Sequence, residues 1–204
     1  MKYFLPNATL PPGLTLESLH KAMAQTADVV SHLNNALSEK DMGPLSSIIQ
    51  RNNFSGIVSN IFTKALDTHS PFKDNSDQEY PDLLSETDGL EVKCTFSASK
   101  GAESHNAHSG WHVIGSFDLV DSALVWTCMK FANLVAYDLP DSDWNYCGSK
   151  RNENGSQRTE TYTTNTVGRG KLLSGICYLD TDMVPNWHRW RGLTPHIRQS
   201  ILNV

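Results

Sequence analysis

Apolar residues recur every three or four positions at Leu16, Leu19, Met23, Ala27, Val30, Leu33 and Leu37. This spacing lines one face of a helix, and Thr15 with Ser18 supplies a cap region, so a helix is predicted from Thr15 to Leu37. Gly43-Pro44 breaks the pattern. A second helix is predicted from about Leu45 to Asp67, interrupted near Asn52-Asn53, with Ile48, Ile49, Phe54, Ile57, Val58, Ile61, Phe62, Ala65 and Leu66 as its buried stripe. Thr68 to Glu79 is polar, contains Pro71 and reads as a loop. The period then changes to two. Leu90-Glu91-Val92-Lys93-Cys94-Thr95 and Trp111 to Val120 alternate as strands do, and the dense apolar run Ser122 to Tyr137 suits the centre of a sheet, with a helix as the competing reading of its second half. Thr159 to Thr166 is strand-like, Leu172 to Leu179 reads as a last apolar strand, and Thr194 to Leu202 as a short helix with Pro195 in its first turn.

Helices followed by strands predict an α/β (α+β) domain with a central mixed β-sheet flanked by helices. At 204 residues a single domain, 1–204, is expected, with a helical part at about 14–67, a core at about 77–137 and a basic part at about 144–204. No run reaches the roughly eighteen apolar residues that span a bilayer, and Met1 to Pro12 lacks a basic start followed by a long apolar stretch. A cytoplasmic protein without a membrane partner is the expectation. Cys94, Cys128, Cys147 and Cys177 are scattered without a CxxC pair, which predicts buried thiols rather than a disulfide framework or a zinc site.

The candidate chemistry lies between Pro81 and Lys93, where two carboxylates and an amine have a spacing that suits a metal-dependent phosphodiesterase. Glu91 and Lys93, two apart on a strand, share a face. The Asp88-Gly89 turn signal lets the chain reverse so that Asp82, at the end of one strand, lies beside Glu91 on the next. Two such carboxylates can hold a hard divalent ion such as magnesium. The plainer reading is an ordinary exposed Glu-Lys pair on a half-buried strand, worth under about 1 kcal/mol.

Pro81-Asp82 and Glu91-Val92-Lys93 resemble the motif of the PD-(D/E)xK nuclease superfamily, to which many type II restriction endonucleases belong. The resemblance covers about thirty residues, Asp77 to Ser109. It implies a restriction-endonuclease-like core in which Asp82 and Glu91 hold Mg²⁺ and Lys93 orients or deprotonates the attacking water. It also implies a sequence-specific double-stranded DNA endonuclease leaving 5′-phosphate and 3′-hydroxyl ends, with a homodimer on a palindromic target. A repair or junction-resolving nuclease of the same superfamily is the second reading, and a non-catalytic nucleic-acid-binding or protein-interaction module the third. In the resembled family a preceding helix often adds a Glu to the metal site. Here Ser55 to Asp67 offers Asn60, Lys64 and Asp67 instead.

Charge modifies this picture. The net charge of −5 argues against nucleic acid, but residues 1–143 carry nine Lys or Arg against eighteen Asp or Glu, and residues 144–204 eight against four. Lys150, Arg151, Arg158, Arg169 and Lys171, interleaved with Asn154 and Gln157, form the mixture that reads base edges, in a β-ribbon, a loop or a polar hairpin. The polar stretch after Lys93 adds Lys100, His105, Asn106 and His108 as candidate DNA contacts. With His112, its histidines are spaced by three and four, which also invites a zinc or HNH-nuclease reading. Asn186 to Arg191 is an aromatic and basic cluster whose Arg heads could meet phosphates.

Overall fold

A computed structural model of the chain describes residues 2–75, 80–148 and 160–204. The predicted first helix is present as α1 (Leu16–Ser38), with Thr15 Oγ1 accepting the Ser18 N–H at 3.0 Å. The second is split into α2 (Leu45–Ile48) and α3 (Arg51–His69). The break falls at Ile49-Gln50, whose backbone is extended, and not at Asn52-Asn53. The two asparagines instead occupy the exposed first turn of α3, where unpaired helix N–H groups meet water.

The strands are β1 (Lys73–Asp74), β2 (Leu83–Leu84), β3 (Gly89–Thr95), β4 (Glu103–Ser104), β5 (Gly110–Val120), β6 (Ala123–Leu134), β7 (Trp144–Tyr146), β8 (Tyr162–Thr164) and β9 (Ile176–Leu179). A six-stranded mixed sheet runs β1-β2-β3-β5-β6-β9, and a small sheet runs β4-β8-β7. Neighbours in the large sheet are antiparallel except β3 and β5, which are parallel. Parallel neighbours need a crossover. Residues 96–109 provide it without a helix, and β4 lies within them.

Several expectations are corrected. β1 lies inside the predicted 68–79 loop. The second half of the 122–137 run is strand: β6 pairs with β5 as far as Leu134, which excludes the helix reading. Leu172 and Leu173 belong to a helix, α4 (Thr166–Ser174), and only Ile176 onwards is strand. The signals were punctuation rather than hydrophobicity. Asn165 Oδ1 accepts the Val167 and Gly168 N–H groups at 2.9 and 3.0 Å, and Gly175 closes the helix by donating to the Lys171 carbonyl at 3.0 Å. The last helix, α5 (Pro195–Leu202), is as predicted, with Thr194 as its cap.

Strand alternation gives the large sheet two unlike faces. Val92, Cys94, Val113, Phe117, Met129 and Phe131 point to one, into an apolar core with Leu19, Met23, Val30, Phe54, Val58 and Phe62 of α1 and α3. A register shift between Ser116 and Phe117 brings Trp126 and Leu124 into the same core. Glu91, Lys93 and Thr95 point to the other. Across β5 and β6 they align as Glu91–His112–Ala132, Lys93–Ile114–Lys130 and Thr95–Ser116–Cys128. Ile114, Ala132 and Leu134 of this face pack against Leu172 of α4 and Trp144 of β7.

All four cysteines are unpaired. Burial pushes the Cys94 thiol up to about 12 and that of Cys128 up to about 11, so both are inert core groups. Cys147 is exposed, contrary to expectation.

Candidate active site

The hairpin that joins the carboxylates begins with a close approach. The Pro81 ring sits so near Gly89 that a Cβ at position 89 would overlap it, so glycine there lets the Pro-Asp segment lie against β3. β2 then pairs with β3 through Leu83–Leu90 and Leu84–Gly89. Ser85 Oγ accepts the Asp88 N–H at 3.0 Å and the Ser85 N–H donates to the Asp88 carbonyl at 2.8 Å, closing the turn. Asp82 therefore stands at the start of β2 rather than at the end of a strand.

Past Leu90, β3 outruns its short neighbour, and its N–H groups on that edge need other acceptors. The Val92 N–H donates to Asp82 Oδ2 at 2.8 Å, and the Cys94 N–H to Ser59 Oγ of α3 at 2.9 Å. Asp82 is thus tied by its carboxylate to the backbone between Glu91 and Lys93. Glu91 is 8% exposed, and its Oε1 lies 2.8 Å from Lys93 Nζ. An ordinary exposed Glu-Lys pair does not describe this arrangement.

The electrostatics follow from that crowding. Burial, and then the charge of Glu91, push the Asp82 pKa up, against the downward pull of the Val92 N–H and Lys93. Burial opposes the Lys93 ammonium, but Glu91 and Asp82 outweigh it and raise its pKa. The amine is a firm cation at neutral pH. Among the described residues no group of three or more His, Cys, Asp or Glu side chains could hold a metal ion, so the histidine-based zinc or HNH reading finds no site. Two crowded carboxylates nevertheless suit magnesium, which takes oxygen ligands and keeps several waters.

Tyr80 escaped the sequence reading, and His112 entered it only as a zinc candidate. Tyr80 donates its hydroxyl proton to the Ser109 carbonyl at 2.6 Å and packs against His108 at 4.3 Å between ring centroids, the rings tilted by 39°. Burial and the charges of Glu91 and Asp82 raise its pKa. His112 lies in register with Glu91 and is 1% exposed, with Nδ1 2.9 Å from the Gly110 carbonyl it donates to. Burial is the main cause that lowers its pKa to about 4, so the ring is neutral, with Nε2 left as an acceptor. Position 110 has φ +127°, a conformation that favours glycine. The signal for His112 was its place in the alternation, where it reads equally as an outward polar residue.

The other candidates disperse. His105 donates from Nδ1 to the Glu160 carbonyl at 3.0 Å, and Lys100, Asn106 and His108 are exposed. Arg169 and Lys171 lie on α4, not on a β-ribbon. Arg169 Nη2 donates to the Ser99 carbonyl at 3.3 Å. Lys171 Nζ sits 2.5 Å from Asp143 Oδ2, a fully buried carboxylate oxygen that also accepts the Val135 N–H at 2.8 Å, so Lys171 is tied to the scaffold. Lys150, Arg151, Asn154, Gln157 and Arg158 lie outside the described residues. In α3, Asn60 is exposed, Lys64 pairs with Asp74 and Asp67 with Lys73, so the group α3 sends to β3 is Ser59. In the Asn186–Arg191 cluster Trp190 is buried, while Arg189 and Arg191 are exposed. No helix of the described residues is long and apolar enough to cross a membrane. No family model, no curated protein and no solved structure matches the chain.

Proposed function

We propose that the chain is a magnesium-dependent DNA endonuclease that hydrolyses phosphodiester bonds to 5′-phosphate and 3′-hydroxyl ends. One observation carries this reading: a buried Glu91 with Lys93 Nζ at 2.8 Å, beside an Asp82 whose pKa burial and then the Glu91 charge raise. Like charges held together in a half-dry site favour a bound cation. Asp82 and Glu91 would hold a magnesium ion, which would supply charge neutralisation at the scissile phosphate and a more acidic water. Lys93, anchored by Glu91, donates hydrogen bonds that orient the water. Its raised pKa makes it a donor and not the base. Val92 holds Asp82 in place through its N–H, and Tyr80 lies close enough to feel the charge of both carboxylates.

Two substrate classes share this chemistry. A restriction-type enzyme cuts both strands of a specific duplex site and needs two active sites, hence a homodimer. A repair or junction-resolving enzyme takes nicked, mismatched or branched DNA. Incubation of linear plasmid and of branched oligonucleotide duplexes with Mg²⁺ tests the activity and separates the classes, since only the first yields discrete plasmid bands. Asp82→Ala and Lys93→Ala are expected to reduce cutting by about a thousandfold or more, ~4 kcal/mol in the barrier, with the circular dichroism spectrum retained. Cutting that persists in either variant overturns the assignment. DNA binding with no effect of Mg²⁺ or EDTA on DNA integrity instead identifies a non-catalytic module.

A further inference from the structure

A cavity of about 500 Å³ opens over Lys93 and Thr95 of β3 and Ile114 of β5, between the start of α3 and the 100–103 segment. It adjoins the carboxylate pair, because Lys93 forms part of its wall while its Nζ contacts Glu91. Lys100 and Arg169 are the other cations of the wall, and Glu103 is its acid. Glu91 balances Lys93, and Lys100 and Arg169 against Glu103 leave the wall net positive in a chain of net charge −5. Ser55 and Thr164 add hydroxyl groups.

The cationic side of this wall is braced from below. Lys130, fully buried in the centre of β6, donates from Nζ to the Ala98 and Lys100 carbonyls at 2.9 and 2.6 Å. Arg169 holds the Ser99 carbonyl between them. Three consecutive peptide groups are thereby fixed, and Lys100 is carried at the rim. Arg169 Nε is buried and has no hydrogen-bond partner among the described residues. A donor left so is costly, by roughly 1–3 kcal/mol.

Next to the cavity lies an aromatic surface. Tyr162 and Thr164, two apart on β8, share a face. Tyr162 clusters with Tyr137 at 4.9 Å and Tyr146 at 5.3 Å between centroids, and Tyr137 and Tyr146 are each 45% exposed. The Tyr146 and Tyr162 hydroxyls donate to the Glu160 carboxylate at 3.4 and 3.2 Å, which fixes the ring planes.

We infer that this cavity takes backbone phosphates of an unpaired DNA strand, whose bases stack on the Tyr137–Tyr146–Tyr162 cluster. The inference rests on the nuclease reading for the identity of the polyanion. Its size falls among pockets of about 300–1,000 Å³, room for a nucleotide or two and not for a duplex. Phosphate oxygens are the acceptors that Lys100 and Arg169 face, and aromatic rings take any base through its π-face. The substrate is therefore nicked, frayed or branched DNA whose loose strand passes Lys93 into the cavity, which places the chain with repair and junction enzymes rather than with those that cut intact duplex.

The test is fluorescence anisotropy of the full chain with a labelled 20-nucleotide oligo-dT and with a 20-base-pair duplex, in EDTA and over a salt series. Oligo-dT is expected to bind at least tenfold more tightly than duplex. Lys100→Glu, an exposed change that leaves the Arg169 bond to Ser99 intact, is expected to weaken it tenfold or more and to reduce the slope of log affinity against log salt by about 0.7 per lost contact. Tyr137→Ala with Tyr146→Ala is expected to cost a further tenfold without altering the slope. Unchanged oligo-dT affinity in Lys100→Glu, or a preference for duplex, overturns the inference. If wild type cleaves DNA yet Lys100→Glu binds normally, the strand site alone is wrong. If oligo-dT binding behaves as stated while Mg²⁺ produces no cleavage, the nuclease reading alone is wrong.

Discussion

The two faces of the large sheet come from the same strands and differ in almost everything else. On the α1 and α3 side, Val92, Val113, Met129 and Phe131 meet other apolar groups, and each contributes by leaving water. On the other side, Glu91, Lys93, His112, Ser116 and Lys130 occupy equivalent strand positions and are held by specific partners. The first face tolerates any set of side chains of the right volume and patterning. The second must be satisfied group by group, since a buried polar atom without a partner is costly. One face stabilises the fold, and the other uses that stability to hold like charges together.

Substitutions should separate the faces by the kind of damage as well as its size. Phe131→Ala empties part of the apolar core and is expected to lower stability by about 3–5 kcal/mol, read by urea unfolding. On the proposed nuclease reading, cleavage per folded molecule should be unchanged. On the polar face, His112 has a pKa of about 4 folded against roughly 6.5 unfolded. Between those values the unfolded chain takes up a proton that the folded chain refuses. The contribution is therefore whole above about pH 6.5 and is lost as pH falls towards 4, by roughly 3 kcal/mol at most. His112→Gln, which keeps a donor for the Gly110 carbonyl but cannot ionise, should flatten that part of the pH–stability curve. An unaltered curve in the variant would show that His112 is not the titrating group.

Lys130 makes a subtler difference. Burial depresses its pKa, which marks the cost of the buried charge, while the Ala98 and Lys100 carbonyls depend on it. Lys130→Met removes the charge and strands the carbonyls, two effects of opposite sign, so a net change of only about 1–2 kcal/mol is expected. The sharper effect should be local: faster amide exchange and proteolysis in 97–101 with the sheet protected as before. Equal protection in wild type and variant would remove Lys130 from its bracing role.

This contrast also sets what could be read from the chain. Spacings of three and four at Leu16 to Leu37, and of two at Trp111 to Val120, report apolar burial, and α1 and β5 lie where those periods predict. The Asp82–Glu91–Lys93 juxtaposition was legible because Gly89 and the short hairpin are local. His112 and Lys130 were not, because a polar residue at an alternate strand position usually faces water, and only the covering by α4 and the small sheet reverses that here. Tyr80 joins the site through Ser109 and His108, nearly thirty residues away, a relation that no local period encodes. The Lys171–Asp143 pair was not legible either, since Asp143 lies in the loop before β7 and only the fold brings the two together.

The smallest expected effect bears most directly on what the polar face is for. Asp82 carries a raised pKa, from burial first and the charge of Glu91 second, so at neutral pH its ionised form opposes folding. A carboxyl group raised in the folded state favours folding below its unfolded pKa of about 3.9, and that advantage fades as pH rises through the folded value. Asp82→Asn removes the charge and keeps an oxygen to accept the Val92 N–H. Without metal it should therefore melt a few degrees above wild type at pH 7. Added Mg²⁺ should raise the melting temperature of wild type, because a ligand bound to the folded state stabilises it, and should leave Asp82→Asn nearly unmoved. The two effects share their causes, the burial of the Asp82 charge and its repulsion by Glu91, which either a neutral side chain or a cation relieves. A variant less stable than wild type, or one that Mg²⁺ stabilises equally, would mean that the two carboxylates do not form the cation site.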